Sequence, residues 1–358
     1  MCKKIIIAAT ALLVGSTASA WKIEGRITGV ADKDSVEVLL FRYWGNSGRS
    51  IQTDTIRGGR FSFEGTLPGD EMVMMQVSAR NGQGTGSLWM TDTTRMVIST
   101  NADGEWVATS NEPEQAIERE LRAIDLSDLD SLMQKRENYH KNKDSVWRVS
   151  AQRLWPVYIR HINSRAVLNN LTFYARQGVI PAARLQWFYE RLTPENQASL
   201  EGESIAWAMD PPTVPQVGEI FGDFAGTDTT GRACKLSDYA GKGKYVLLDF
   251  WSVGCGPCHA AFPQMKEIYA KYNDRLEIVG VSLDVNKDRW REVVQWRELP
   301  WKQISDGKGN FGGTYMLYRI EAMPTYILID PQGKIIERWY PGQGDFRSRV
   351  IDPYLEKQ

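Results

Sequence analysis

The chain has 358 residues, room for two or three domains at about 150 residues each. Its 42% hydrophobic and 24% charged residues exclude a long disordered chain, and a net charge of −1 gives no overall basic surface to draw nucleic acid or anionic membrane. Four cysteines and three histidines exclude a disulfide-dense scaffold and several iron–sulfur clusters, and leave few ligands for a zinc site.

The N-terminus reads Met1-Cys2-Lys3-Lys4, then an apolar run over 5–15, then Ser16-Thr17-Ala18-Ser19-Ala20. A short cationic start, a short apolar middle and small residues at the end describe a secretory signal peptide, expected over 1–20 and removed after Ala20. The run falls short of the ~20 apolar residues that span a bilayer. The expected location is extracytoplasmic, in the periplasm, and the cysteines remaining there are Cys234, Cys255 and Cys258.

Over 21–110 the pattern is strand-like. Val36 and Val38 alternate with Glu37, and Phe61 and Phe63 with Ser62 and Glu64. Gly58-Gly59 is a two-residue hairpin signal, because both central positions of a type I′ turn need positive φ. Segments 72–77 and 96–100 read as further strands, and the whole as a small β-sandwich. Over 111–213 the period becomes helical, with Ile117, Leu121 and Ile124 and then Leu154, Tyr158 and Ile162 on apolar faces. Pro181 and Pro194 mark helix starts, with Thr193 as a cap, and 210–215 is a proline-rich extended linker. This block is expected to space the flanking domains or to mediate a homodimer. From 214 to 358, strands at 245–250, 276–282, 326–329 and 334–339 alternate with helices at 255–272 and 287–297, which implies an α/β domain with a mixed sheet flanked by helices.

The chemistry lies in this last segment. Cys255-Gly256-Pro257-Cys258 follows the apolar strand that ends Asp249-Phe250-Trp251. At a helix N-terminus, unpaired N–H groups and the dipole stabilise a thiolate, which makes Cys255 the nucleophile. Cys258, within one turn, is the resolving thiol, and the two form the expected redox-active disulfide. Asp249, in an apolar strand, is expected to be buried, with a raised pKa, and to take the Cys258 proton. Pro263 lies inside the helix. Met323-Pro324-Thr325 precedes a strand, where a cis proline would offer its preceding backbone to an extended substrate.

These residues resemble the thioredoxin superfamily over 214–358, and more closely the extracytoplasmic TlpA/ResA-type thiol–disulfide oxidoreductases. The 69-residue gap from Cys255 to Pro324 resembles that group's insertion. The front of the chain resembles the β-domain and helical segment preceding thioredoxin domains in some secreted bacterial proteins. The resemblance implies substrate contacts at Trp251, Gly256, Pro257, Met323 and Pro324, disulfide-bearing protein substrates, a membrane dithiol electron donor, and no cofactor beyond the cysteine pair. Two positions depart from the pattern: Gly254 stands where thioredoxin has Trp, and Ala261 where ResA-like proteins have Glu.

The expected activity is reduction of protein disulfides. Two competing readings are a docking protein with a static Cys255–Cys258 disulfide and a peroxiredoxin-like peroxidase. The residues four and seven before each cysteine (Trp251 and Leu248; Gly254 and Trp251) do not form a peroxidatic setting. Cys-x-x-Cys-His also satisfies the haem-attachment pattern, with His259 as iron ligand. Cys234 reads as a small residue of a strand or loop.

Overall fold

The computed structural model describes residues 20–41, 49–67, 72–133, 136–341, 343 and 345–356; for 41, 49, 125–133 and 136–143 it describes the backbone alone. The expected signal peptide, apart from Ala20, lies outside the described residues. Among the described residues no helix is long and apolar enough to cross a membrane.

Among the described residues, eight strands follow Ala20: β1 (Trp21–Arg26), β2 (Ser35–Phe41), β3 (Arg49–Thr55), β4 (Arg60–Gly65), β5 (Val73–Ala79), β6 (Leu88–Met90), β7 (Arg95–Thr100) and β8 (Trp106–Ser110). They form two four-stranded sheets, ordered β4-β1-β7-β8 and β3-β2-β5-β6. Alternate residues of both sheets meet in one core, with Ile23, Phe63 and Ile98 from the first and Val36, Val38 and Val77 from the second. Gly58 and Gly59 have φ of 57° and 68°, and Arg57 and Arg60 exchange backbone hydrogen bonds of 3.0 and 3.1 Å, so the turn is present. The flanking strands, however, do not pair as a hairpin ladder: β3 pairs with β2 and β4 with β1. Ile56 is bonded to residues 33 and 34 on one side, and Gly59 O accepts from Ile27 on the other, so the turn carries the chain from one sheet to the other.

The helices described next are α1 (Pro113–Met133), α2 (Arg136–Arg160), α3 (Arg165–Arg176), α4 (Ala182–Tyr189), α5 (Pro194–Gln197) and α6 (Leu200–Met209). Thr193 caps α5 with Pro194 in its first turn, while Pro181 stands at the cap of α4. The Gln115 side chain accepts from Trp89 N–H and donates to Ser87 O, tying α1 to the sandwich. The carboxylate of Glu114 accepts from Ser164 Oγ and from the N–H groups of Arg165 and Ala166, which supplies partners to the open start of α3.

The remaining elements are β9 (Ala225–Thr227), β10 (Ala233–Lys235), β11 (Tyr245–Trp251), α7 (Gly256–Tyr272), β12 (Leu276–Ser282), α8 (Lys287–Trp296), β13 (Lys302–Ile304), α9 (Gly313–Tyr318), β14 (Thr325–Ile329), β15 (Ile335–Trp339) and α10 (Asp352–Leu355). The sheet order is β13-β12-β11-β14-β15; β11, β12 and β13 run parallel, and β14 is antiparallel to both its neighbours. One face is covered by α7, α8 and the C-terminal turns through Phe262, Met265, Trp290 and Val350. The other packs Tyr318 of α9 with Leu236 and Cys234. This is a thioredoxin-like domain, preceded by two strand-rich sheets and a helical block. The helical block reaches the domain at α9 and the turn before it: Arg176 lies 5.3 Å from the ring centroids of Phe311 and Tyr315 and donates to Asn310 O, and Glu203 pairs with Lys308 at 2.5 Å.

Candidate active site

Strand β11 delivers Asp249 and Trp251 to the helical face, and the chain turns through Ser252, Val253 and Gly254 into α7. Cys255 N–H bonds to Ser252 O at 3.0 Å, closing the turn. Cys255 caps α7, and its sulfur accepts from Cys258 N–H at 3.1 Å. An otherwise unpaired helix-start N–H is thereby aimed at the sulfur expected to carry negative charge. Cys255 and Cys258 form a disulfide, with Cα atoms 5.2 Å apart. Cys255 retains 9% exposure and Cys258 1%, so an incoming group meets Cys255 first. Gly254, Gly256 and Pro257 around it are exposed, and they present mostly backbone.

The turn is held through the backbone of Val253. Its N–H donates to both carboxylate oxygens of Asp284 at 3.2 and 3.0 Å. Its carbonyl faces His259 Nε2 at 2.9 Å, and Arg297 Nε donates to His259 Nδ1 at 3.0 Å. These two partners assign the proton to Nε2. Burial first holds the His259 pKa below its ordinary value, with the Val253 hydrogen bond acting against it and Arg297 adding to it; Nδ1, accepting from Arg297, makes the ring a strut between Val253 and the end of α8. Ser282 Oγ also donates to Asp284, at 2.9 Å. Burial outweighs these donors and pushes the Asp284 carboxyl up to about 6.

Asp249 is 1% exposed, and both its carboxylate oxygens are without a hydrogen-bond partner. Burial pushes it up to about 8, with no neighbouring cation acting against the shift. Met323-Pro324 is a cis peptide bond, and Met323 packs against the core cluster that holds both active-site sulfurs. Pro324 is buried, and Pro263 is inside α7.

Trp251 corrects an expectation. It is fully buried and donates from Nε1 to Gln303 Oε1 at 3.1 Å, so its ring has no surface to offer a docked substrate. It supports the site from within the core. Cys234 is a buried free cysteine in β10, and burial raises its pKa.

The sequence reading missed Asp284, Arg297 and Gln303. The run Val281-Ser282-Leu283-Asp284 carries a signal for the first, a carboxylate just past a buried strand. Nothing marks Gln303, inside a three-residue strand.

A family model described as AhpC/TSA matches residues 217–338. The thiol–disulfide oxidoreductase ResA of Bacillus cereus is 32% identical over 143 residues, which are 40% of this chain and 78% of the relative. This chain belongs to the ResA-like thiol–disulfide oxidoreductases. ResA of Oceanobacillus iheyensis is 35% identical over 127 residues, 34% of this chain and 64% of that one. Solved structures similar to this ResA-like chain include the thioredoxin domain of a thiol–disulfide oxidoreductase from Bacteroides vulgatus (32% identity, 35% of this chain, 89% of that one, TM-score 0.33). A thiol–disulfide oxidoreductase from Bacteroides fragilis matches at 29% identity, over 36% of this chain and 92% of that one, with TM-score 0.32. The ResA-like chain is an enzyme, a thiol–disulfide oxidoreductase.

Proposed function

We propose that the protein reduces protein disulfides outside the cytoplasm, with Cys255 as nucleophile and Cys258 as resolving thiol. The observation that carries this reading is the capped sulfur: Cys255 is the more exposed of the pair and accepts the Cys258 N–H at a helix start. In the reduced enzyme the Cys255 thiolate attacks a substrate S–S bond. A Cys255–substrate disulfide forms, and one substrate thiolate leaves and is protonated by solvent. Cys258 passes its proton to Asp249, and its thiolate attacks Cys255 Sγ. The second substrate thiolate leaves, two electrons have passed to the substrate, and the Cys255–Cys258 disulfide remains. Gly256, Pro257 and the Met323-Pro324 backbone form the rim against which an extended substrate lies. A membrane dithiol restores the reduced pair.

In this reading residues 1–20 are a signal peptide, 21–110 a β-sandwich domain, 111–213 a helical segment and linker, and 214–358 the redox domain. The reducing direction is supported by the Cys-Gly-Pro-Cys sequence, and the periplasmic location by the charge and apolar pattern of 1–20. The test is dithiol-driven reduction of insulin by the protein and by Cys255→Ser. Turnover lost in the variant supports the reading, and equal inertness of the two overturns it. Cys258→Ser is expected to stall as a mixed disulfide, and mass spectrometry of that adduct identifies the substrate.

A further inference from the structure

The cross-strand register places Asp249 opposite Gly280, and Gly280 opposite Gln303. Directly opposed residues share a face, so these three lie in one row on the helical side of the sheet. Gly280 has no side chain to separate its neighbours. A Cβ there would fall 2.4 Å from Gln303 Oε1 and 2.6 Å from Nε2, so the Gln303 amide lies over Gly280, one strand spacing from Asp249.

The orientation of that amide is fixed by Trp251. An indole nitrogen only donates, so the atom receiving it at 3.1 Å is the Gln303 oxygen. The Nε2 is therefore left over by that bond. It is buried without a partner, as are both oxygens of Asp249. A buried donor and a buried acceptor, each left unmatched and one strand apart, are costly separately and complementary together.

We propose that Gln303 is a positioning residue for Asp249: its Nε2 donates to the carboxylate when Asp249 gives up its proton, while Trp251 holds the amide in register. This assignment rests on the proposed proton transfer from Cys258 to Asp249 and gives that base its partner. The step moves one proton, from the Cys258 thiol to the carboxylate, and Gln303 stays neutral throughout. The donor stabilises the ionised base, so it sets the pH at which Asp249 is ready to accept. Among the described residues, titratable groups on this face include Cys255, Cys258 and Tyr272 at α7 and Tyr326 across on β14, with Tyr245, Tyr269 and Tyr354 at its margin, and His259 of α7 stands with its ring centroid 6.3 Å from that of Trp251. Glu277 of β12 is bonded to Tyr269 at that margin, and α8 contributes Trp290 and Val293 to this core.

The test is a ¹³C-carboxyl NMR titration of Asp249 in the full chain and in Gln303→Met, which keeps volume and removes the donor. The Asp249 midpoint is expected to rise by a unit or more, a tenfold or greater gain in proton affinity. An unmoved midpoint overturns the proposal. Should the variant not fold, the unmutated protein decides: the Gln303 side-chain ¹⁵N–¹H resonances are expected to follow the Asp249 titration curve, and resonances flat through that transition overturn the proposal. Neither measurement needs turnover. An inert protein in the insulin assay would count against the reductase reading and leave the titration result standing.

Discussion

Two buried carboxylates flank one helix start. Asp249 lies mid-sheet at 1% exposure, and Asp284 lies past the end of β12 at 3%. Their burial is nearly equal and their surroundings are not. Asp284 accepts from the Val253 N–H and Ser282 Oγ, whereas Asp249 has no partner for either oxygen. Burial pushes Asp284 up to about 6 and Asp249 to about 8. The difference teaches how one sheet supports two uses of the same residue type. Donors aimed at a carboxylate favour its charge and make it a fixed support, while a bare carboxylate is poised to exchange a proton.

The largest expected effect comes from abolishing the bare acid. A carboxyl whose folded pKa lies above its unfolded value binds its proton more tightly in the folded state. It therefore weakens the fold as pH rises from about 4 to about 8. Asp249→Asn removes that loss, so urea unfolding should show it more stable than the parent by on the order of 4 kcal/mol at pH 7 and little changed near pH 4. Its insulin turnover should fall, because Cys258 loses its base. A parent stability flat from pH 4 to 8 would remove the contrast between the acids.

Next is the supporting acid. Asp284→Ala leaves the Val253 N–H without its acceptor, at a cost of about 1–3 kcal/mol in thermal or urea unfolding. The turn into α7 loosens, so the alkylation rate of Cys255 in the reduced protein should change as well. A variant with unchanged alkylation would show that Asp284 serves stability alone. The smallest effect is expected at the spacer between Asp249 and Gln303. Gly280→Ala drives a methyl group against the Gln303 amide and should cost about 1–3 kcal/mol, nearer the lower figure if the amide swings aside. An Asp249 midpoint that rises in this variant sharpens the comparison by showing that a displaced donor acts as a missing one.

Much of the redox domain is legible in the sequence, because buried strands and a helix announced by Cys-x-x-Cys are local patterns. The expected 276–282 strand coincides with β12, and the burial of Asp249 follows from a lone acid in an apolar run. The residue proposed to donate to that acid is not local. Gln303 comes from β13, too short to show a period, and meets the Asp249 row only through sheet register. The Gly58-Gly59 turn is legible for the same local reason, but the separation of β3 and β4 into different sheets is a tertiary outcome. The place of Trp251 in the motif is visible in the sequence, and its depth in the core is not.

The Arg176 contact gives the joint between the front of the chain and the redox domain two different responses to ionic strength. Glu203 and Lys308 each retain 39% side-chain exposure, so added salt screens their attraction. Arg176, half-buried, is held by two ring faces and a carbonyl, contacts that mobile counter-ions screen less than an exposed ion pair. Concentrated salt should therefore weaken one half of the joint and leave the other, so that the front of the chain keeps its hold on the segment leading into the Met323-Pro324 loop.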